Sequence, residues 1–298
     1  MRIFSVALAA MLTVATGTAF AQSQEGNAGI RPSGFSDDSI GYRYGSGFRE
    51  PGVTDSRHAN GIDIPKHILN LQHVDGGTMW SNFINVDFLF SSSRDPAAGG
   101  IHRGAMEVYA IYRGDLSLNQ ALHTNAFSVG NILQDVTLQI GGDINTKNTQ
   151  FAPQKDLIVF GPDFHWNIPG GFLSTAFQVA HEWNQNGIVG KGVNFAPTWE
   201  IEAVWSVPLT FTRLPLSFEG FFNVVGPKGR DGFNASTKVE ILTEPRLTLD
   251  VGALAFDRPH KLDLSIGYQY WLNKFGNNAT NVPGSIASTA WFGVRYHF

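Results

Sequence analysis

Cysteine is missing from the chain altogether, and charge is scarce. Only 15% of the 298 residues are Asp, Glu, Lys or Arg, against roughly a quarter in ordinary soluble domains. Without a thiol there is no disulfide framework and no cysteine-ligated metal. A basic excess is lacking too: 21 Lys and Arg face 25 Asp and Glu, for a formal charge of −4. That is the wrong sign for a partner whose phosphates must be neutralised, so nucleic acid is excluded as a ligand. Past the amino terminus there is no run of about 18 apolar residues, so no transmembrane helix is expected. What is present in quantity is aromatic: 23 Phe, 7 Tyr and 7 Trp, beside 33 Gly. Such a chain is not disordered. Its 43% hydrophobic content is too low for a large dry core to explain the missing charge. Aromatic and small polar residues stand where a soluble surface would carry ions.

Residues 1–21 read as a secretory signal. Arg2 gives a short positive region, Ile3 to Val14 an apolar stretch, and Ala19-Phe20-Ala21 a small-x-small cleavage site before Gln22. The apolar stretch is too short to span a bilayer. Export without cysteine suits a bacterial envelope protein. The expected organisation is a signal over 1–21, a periplasmic segment over 22–37 and a folded unit over 38–298.

Beyond the signal the hydrophobic pattern has period 2. Trp80, Ile84, Val86, Phe88 and Phe90 share one face, with Asn85 and Asp87 on the other. Leu262, Leu264, Ile266, Tyr268 and Tyr270 oppose Asp263, Ser265, Gly267 and Gln269. On this basis twelve strands are predicted, near 38–46, 67–74, 80–91, 103–113, 133–143, 155–166, 171–183, 197–206, 214–225, 237–251, 261–272 and 288–298. Most have the length of a tilted strand that crosses a bilayer, longer than strands of soluble sheets. The connectors alternate as well. Those near 47–66, 92–102, 144–154, 184–196, 226–236 and 273–287 are long and rich in Gly, Asn, Pro and basic residues. Those at 75–79, 167–170, 207–213 and 252–260 are shorter. This is the pattern of an all-β transmembrane antiparallel up-and-down barrel, with long extracellular loops and short periplasmic turns. Residues 114–132 break the alternation, and Ser117 to His123 are expected to form a small helix there. The first strand is the weakest of the twelve, because Ser39 to Ser46 could instead pack into the barrel mouth.

A barrel wall explains the composition. Lipid takes the Phe, Leu and Val half of each alternation and the lumen takes the polar half. Trp80, Trp166, Trp183, Trp199, Trp271 and Trp291 fall at or near predicted strand ends, where indoles form girdles at the headgroup level. The chain ends on Trp291-Phe-Gly-Val-Arg-Tyr-His-Phe298. Phe292, Val294, Tyr296 and Phe298 alternate there as the terminal strand signal that hands outer-membrane proteins to the barrel-assembly machinery. Lipopolysaccharide and outer-membrane lipid are the expected surroundings in a Gram-negative envelope.

No His-Glu-x-x-His, Gly-x-Ser-x-Gly or P-loop is present, and Gly226-Pro-Lys-Gly-Arg-Asp-Gly232 lacks the Gly-Lys-Ser/Thr ending. Nine scattered histidines suggest solvated rings and no metal site, and no cofactor is expected. His181-Glu182-Trp183-Asn184 somewhat resembles the His-x-Ser-Asn stretch of lipid A deacylase barrels, with Trp183 where the nucleophilic serine would be. An enzyme is therefore not expected. The polar faces instead predict a lumen of Asp87, Glu107, Asp143, Glu182, Glu200, Glu202, Glu219, Asp250 and Asp263 with Arg113 and Arg295. Phe83, Tyr109, Phe221 and Trp291 share that face. Rings that stack on flat solutes beside acids that accept from hydroxyls describe a groove for neutral polar molecules. Inward rings that merely fill a small barrel are the competing reading.

Six stretches carry a family resemblance. Tyr42-Arg-Tyr-Gly-Ser-Gly-Phe-Arg-Glu-Pro51, Ile64-Pro-Lys-His-Ile-Leu-Asn70, Asn82-Phe-Ile-Asn-Val-Asp87, Ser93-Arg-Asp-Pro96, Gly104-Ala-Met-Glu-Val-Tyr109 and Tyr268-Gln-Tyr-Trp-Leu-Asn-Lys-Phe-Gly276 resemble the Tsx-like family of nucleoside-specific outer-membrane channels. The resemblance runs from about residue 40 to Phe298, through the order and spacing of the motifs together. It implies a monomeric twelve-stranded barrel with a narrow lumen that passes nucleosides passively. Phe83, Tyr109, Phe221 and Trp291 are then expected to stack on solute, with Asn85, Asp87, Glu107, Arg113, Glu219 and Arg295 hydrogen-bonding. The alternative function is a non-conducting barrel, structural or receptor-like, whose Lys147, Lys191, Lys228 and Arg230 contact lipopolysaccharide phosphates. Under either reading, the outward strand positions should be almost free of Asp, Glu, Lys and Arg.

Overall fold

The computed structural model describes residues 34–99 and 103–298. The expected signal and residues 22–33 of the expected periplasmic segment lie outside the described residues. Fourteen strand segments follow one another: β1 (Phe35–Phe48), β2 (Ile64–Gly76), β3 (Trp80–Ser91), β4 (Met106–Ser117), β5 (Leu133–Lys147), β6 (Gln154–Trp166), β7 (Phe172–Asn186), β8 (Lys191–Asn194), β9 (Thr198–Pro208), β10 (Leu216–Val225), β11 (Glu240–Thr243), β12 (Arg246–Asp250), β13 (Leu262–Leu272) and β14 (Ile286–His297). Each pairs antiparallel with its neighbours. The circle closes through β1 and β14, with Tyr42 opposite Val294 and Gly45 opposite Trp291. Segments β8 and β9 both pair with β7, and β11 and β12 both pair with β10 and β13. Each of these two pairs is one interrupted barrel strand, so the result is a closed 12-strand antiparallel β-barrel.

The second interruption has a local cause. Pro245 carries no amide hydrogen and cannot continue the ladder. Gly220 faces it across β10 with φ +153°, and a Cβ there would sit 2.6 Å from the Glu244 carbonyl. The predicted continuous strand 237–251 is thereby split. The last residue of β12, Asp250, was expected in the lumen and is buried on the inward side of that strand. There it also caps a short helix α2 (Val251–Phe256), its Oδ1 accepting from Ala253 N at 2.8 Å. The expected helix after β4 is present as α1 (Leu118–Ala121), capped by Ser117 Oγ on Gln120 N at 3.1 Å.

The first strand is a full wall strand, longer than the predicted 38–46, so residues 35–37 belong to the barrel. One rim (the near rim) carries both the start of β1 and the end of β14. At the opposite, far rim the connectors 49–63, 92–105, 226–239 and 273–285 are long. The far-rim connectors 148–153 and 187–190 are shorter than predicted, because β5, β7 and β8 extend into them.

Solvent exposure alternates along much of β2, β6, β7 and β14. In β14, Ile286, Ser288, Ala290, Phe292, Val294 and Tyr296 are exposed, and Ala287, Thr289, Trp291 and Gly293 are buried. The interior that results is polar. Lys66, Glu107, Arg113, Asp143, Asp163, Glu182, Glu200 and Glu244 are buried, while Ile140, Ile158, Phe160, Val179, Ile266 and Phe292 are exposed. Each large apolar side chain left outside forgoes about 1.5–3 kcal/mol of burial in water, and regains it only in lipid. Charged groups on outward strand positions are confined to Asp38, Asp75 and Asp156, all close to a rim. Trp80 and Trp166 line the near rim outside, Trp183 and Trp199 the far rim. Trp271 and Trp291 are exceptions to the expected girdle. They point inward, Trp291 because inward-facing Gly267 leaves a recess that its indole fills, where a Cβ would meet the ring at 2.3 Å.

Candidate functional site

All ten residues expected to contact solute lie on inward positions, yet the barrel divides them among separate arrangements. Around Arg43 of β1, two carboxylates converge. Its guanidinium donates to Asp87 of β3 and to Glu244 at the strand break. Asp87 also accepts from Asn70 Nδ2 at 2.7 Å and Asn70 donates to Asn85 Oδ1 at 2.6 Å. Glu244 accepts from Gln269 Nε2 at 2.8 Å. Arg43 lies 5.7 Å above the Trp291 ring. Three buried atoms here, Arg43 Nε, Asn70 Oδ1 and Trp291 Nε1, have no hydrogen-bond partner among the described residues. They offer two donors and an acceptor beside one aromatic ring.

A second arginine forms a chord across the lumen. Arg113 of β4 donates to Asp143 of the adjacent β5 at 2.8 Å and to Glu202 of β9 at 3.2 Å. Strands β5, β6 and β7 separate β4 from β9 in the wall, so the bond to Glu202 spans the interior. Tyr109 donates to Asp143 at 2.8 Å and accepts from Lys155 at 3.0 Å, which ties its hydroxyl down. Asn223 donates to Glu200 Oε1 at 2.7 Å, and among the described residues Glu200 Oε2 and Arg113 Nε have no hydrogen-bond partner. Glu219 accepts from Arg246 at 2.9 Å and from Ser217 at 2.7 Å. Arg295 stands opposite Asp263 in the β13–β14 ladder. The inward residues of β4 to β7 are mostly buried, whereas Phe83, Asn85, Glu202, Phe221, Asn223 and Gln269 are half-exposed. The more accessible inward residues therefore form a strip bounded by β3 on one side of the lumen and by β9, β10 and β13 on the other.

The third arrangement closes over the far rim. Glu50, carried by the loop after β1, is buried among three ammonium groups. Lys66 donates to its Oε1, Lys274 lies 3.1 Å from the same oxygen, and Lys147 lies 3.4 Å from Oε2. Burial alone would raise the Glu50 carboxyl, but Lys147, Lys274 and Lys66 hold it well below the ordinary glutamate range. Burial, reinforced by Lys66 and Lys147, pulls the Lys274 ammonium below its ordinary value despite Glu50. Lys147 also reaches Asp95 at 2.7 Å, and Glu107 lies 3.7 Å from Lys66 and accepts from Asn145 at 2.6 Å. Glu50, Lys66, Asp95, Glu107 and Lys274 each come from a different one of the resemblance motifs, and the fold brings them together. Single-strand periodicity gave no sign of this convergence. Motif order along the chain was the available signal.

Two expected lipopolysaccharide contacts are corrected by the same geometry. Lys147 belongs to β5, not to a loop, and is buried in this cluster. Lys228 is buried beside Glu182, to which it donates, with its ammonium 4.7 Å from the Phe195 ring. Lys191 and Arg230 are exposed. His181 lies on the outer wall, bonded to Asn194 at 2.8 Å and stacked on Trp183 at 4.3 Å. Asp115, Asp163 and His165 gather in the lumen near the near rim, their ligand atoms within 4.8 Å of one another. Thr137 and Gln139 donate to Asp115 at 2.8 and 3.1 Å, so this group is part of a hydrogen-bonded lumen floor.

No family model matches the sequence, and no curated protein matches it. Among solved structures, an outer-membrane channel from Pseudomonas putida F1 superposes with a TM-score of 0.51 at 10% identity, over 93% of this chain and 100% of that one. The fold is an outer-membrane barrel. The translocator domain of the autotransporter NalP from Neisseria meningitidis (TM-score 0.42, 12% identity, 90% of each chain) and an anion-selective porin from Comamonas acidovorans (0.34, 9% identity, 88% and 99%) are also similar.

Proposed function

We propose that the protein is a passive outer-membrane channel for nucleosides or similar small polar solutes. One observation carries the reading: a wall apolar outside and ionised inside, whose accessible strip is bordered by the Arg43 and Arg113 bridges. Phe83 and Phe221 offer half-exposed rings along that strip, and Asp87, Glu219 and Arg295 offer hydrogen-bonding groups near it. Asn85 lies beside Asp87 and Trp291 beside Arg43, while Tyr109 and Glu107 are taken up by bonds to Asp143 and Asn145. Stacking of a base with hydrogen bonds to its sugar matches such a strip better than a bare charged pore does. The Tsx-like motifs support nucleosides as the class. Export through residues 1–21, delivery by Phe292, Val294, Tyr296 and Phe298 to the assembly machinery, and a monomer in lipopolysaccharide belong to the same proposal.

The test is conductance of the refolded barrel in planar bilayers. Added nucleoside should lower the ion current at millimolar concentration, and Phe83→Ala with Phe221→Ala should weaken that block about tenfold. A pore that conducts but ignores nucleoside leaves a general small porin. A non-conducting barrel, structural or receptor-like, is favoured by one feature, the clasp over the far rim. Among the basic residues offered for lipopolysaccharide, Lys191 and Arg230 would serve it.

A further inference from the structure

The clasp is charge-balanced only because Glu50 is in it. Lys66, Lys147 and Lys274 face Glu107, Asp95 and Glu50. The lysines are mounted on β2, on β5 and in the one-turn 3-10 helix (Lys274–Gly276) that follows β13, whereas Glu50 hangs from the connector 49–63. Among the described residues Lys274 has no other carboxylate within ion-pair distance. It rests 4.4 Å over the Trp271 ring and donates to the Arg49 carbonyl at 3.0 Å. Taking Glu50 away leaves three ammonium groups against two acids, all aimed at the volume that one carboxylate now fills. Holding two loops together does not require six desolvated charges, since apolar packing does it as well. A set of converging ammonium groups from separate elements is what recognition of an anion requires.

We propose that Lys66, Lys147 and Lys274 form a receptor for the anionic group of a dissolved solute, a phosphate monoester or a carboxylate, which Glu50 occupies as a built-in competitor while the far rim is closed. The proposal rests on the channel reading for its role in transport, though the site itself does not depend on conduction. Lys66 and Lys147 point to the lumen side of the wall, so the anion arrives in solution and not on a lipid headgroup. Binding would release Glu50 and with it the connector 49–63. That connector is held to the 273–285 loop by Gly52 N on the Pro283 carbonyl at 2.8 Å and Gly284 N on the Asn60 carbonyl at 3.0 Å.

Two measurements on the full mature barrel test this. Calorimetric titration with inorganic phosphate, and separately with acetate, compares wild type, Glu50→Gln and Glu50→Gln/Lys147→Gln. Glu50→Gln should bind one or both anions at least tenfold more tightly than wild type, and the double variant should lose that gain. If Glu50→Gln folds, judged by its heat-modifiable gel mobility, and binds neither anion better than wild type, Glu50 is a structural clasp and the proposal is overturned. Should Glu50→Gln fail to fold, Glu50→Asp takes its place. Its shorter arm should give a gain of several-fold, and no gain overturns the proposal equally. In pure phosphatidylcholine bilayers, which carry no lipid phosphomonoester, phosphate on the far-rim side should raise the open fraction of wild type severalfold. Glu50→Gln should be open without it. Equal conductance of the two, unaffected by phosphate, removes the gating role. Binding without any conductance keeps the anion site and retires the channel reading instead.

Discussion

At the scale of single residues, the lumen is held by pairs whose partners lie far apart in the chain. Arg43 and Glu244 are 201 positions apart, Arg113 and Glu202 89. Removing one arginine leaves buried carboxylates without their counter-charge, which costs far more than the intact pair contributes. Arg113→Ala is expected to lower barrel stability by about 3 kcal/mol in urea unfolding from lipid vesicles. It should also raise conductance and shift the reversal potential toward cations, because Glu200 and Glu202 lose their nearest cation while Asp143 keeps only Lys155, at 3.6 Å. Gly267 acts by absence of a side chain. Gly267→Val would collide with the Trp291 indole, at a cost of about 1–3 kcal/mol for overpacking. It would push the ring into the passage, so the single-channel conductance should fall. Glycine at 267 was visible in the sequence as an inward position. That its missing side chain houses the Trp291 indole was not, since β13 and β14 must pair before the two meet.

At the scale of elements, the alternation that predicted the wall is also what the wall needs. Ile140 lies midway along β5 on the outer face and Asn223 lies inward on β10. Arginine at a lipid-facing midplane position costs about 2–4 kcal/mol, and much less inside the lumen. Ile140→Arg should thus destabilise the folded barrel by that amount, while Asn223→Arg leaves stability nearly unchanged and alters ion selectivity. A comparison of their unfolding midpoints in one lipid checks both. Strand positions and faces were legible because each depends only on neighbouring residues. Strand ends were less so. The far-rim extension of β5 to Lys147 is set by its partners on adjacent strands, and the break that Pro245 starts locally is completed by Gly220 of the neighbouring β10. The sequence assigned Asp250 to the inward side by period alone, where it is buried, but gave no sign that it caps the helix after β12.

At the scale of the whole molecule, closure of the barrel brings the far-rim connectors within reach of one another, and Glu50 becomes the centre of their contacts. Its folded carboxyl is held below the ordinary value of 4.5. A depressed carboxylate contributes stability that is present above the unfolded value and is lost as pH falls through the folded one. The thermal midpoint of the wild-type barrel should accordingly be flat from neutral pH to about pH 5 and decline below the ordinary value. In Glu50→Gln the share of that acid limb due to this group should vanish. Acid should also open the far rim of wild type, seen as a rising open fraction in bilayers whose far-rim compartment is acidified. If the acid limb of Glu50→Gln matches that of wild type, Glu50 does not govern it.

Which residues face lipid and which face the lumen was determined by the sequence alone, because a strand turns its side chains by a fixed half-turn per residue and lipid accepts almost no charge. The low charge content follows from that single fact. The tertiary structure decided which inward groups meet. Barrel closure and stagger set the chords from Arg43 to Glu244 and from Arg113 to Glu202, and gathered Glu50, Lys66, Asp95, Glu107 and Lys274 from five separate motifs. Contacts across a closed lumen join residues that share no strand and no ladder, and no periodicity along the chain encodes them.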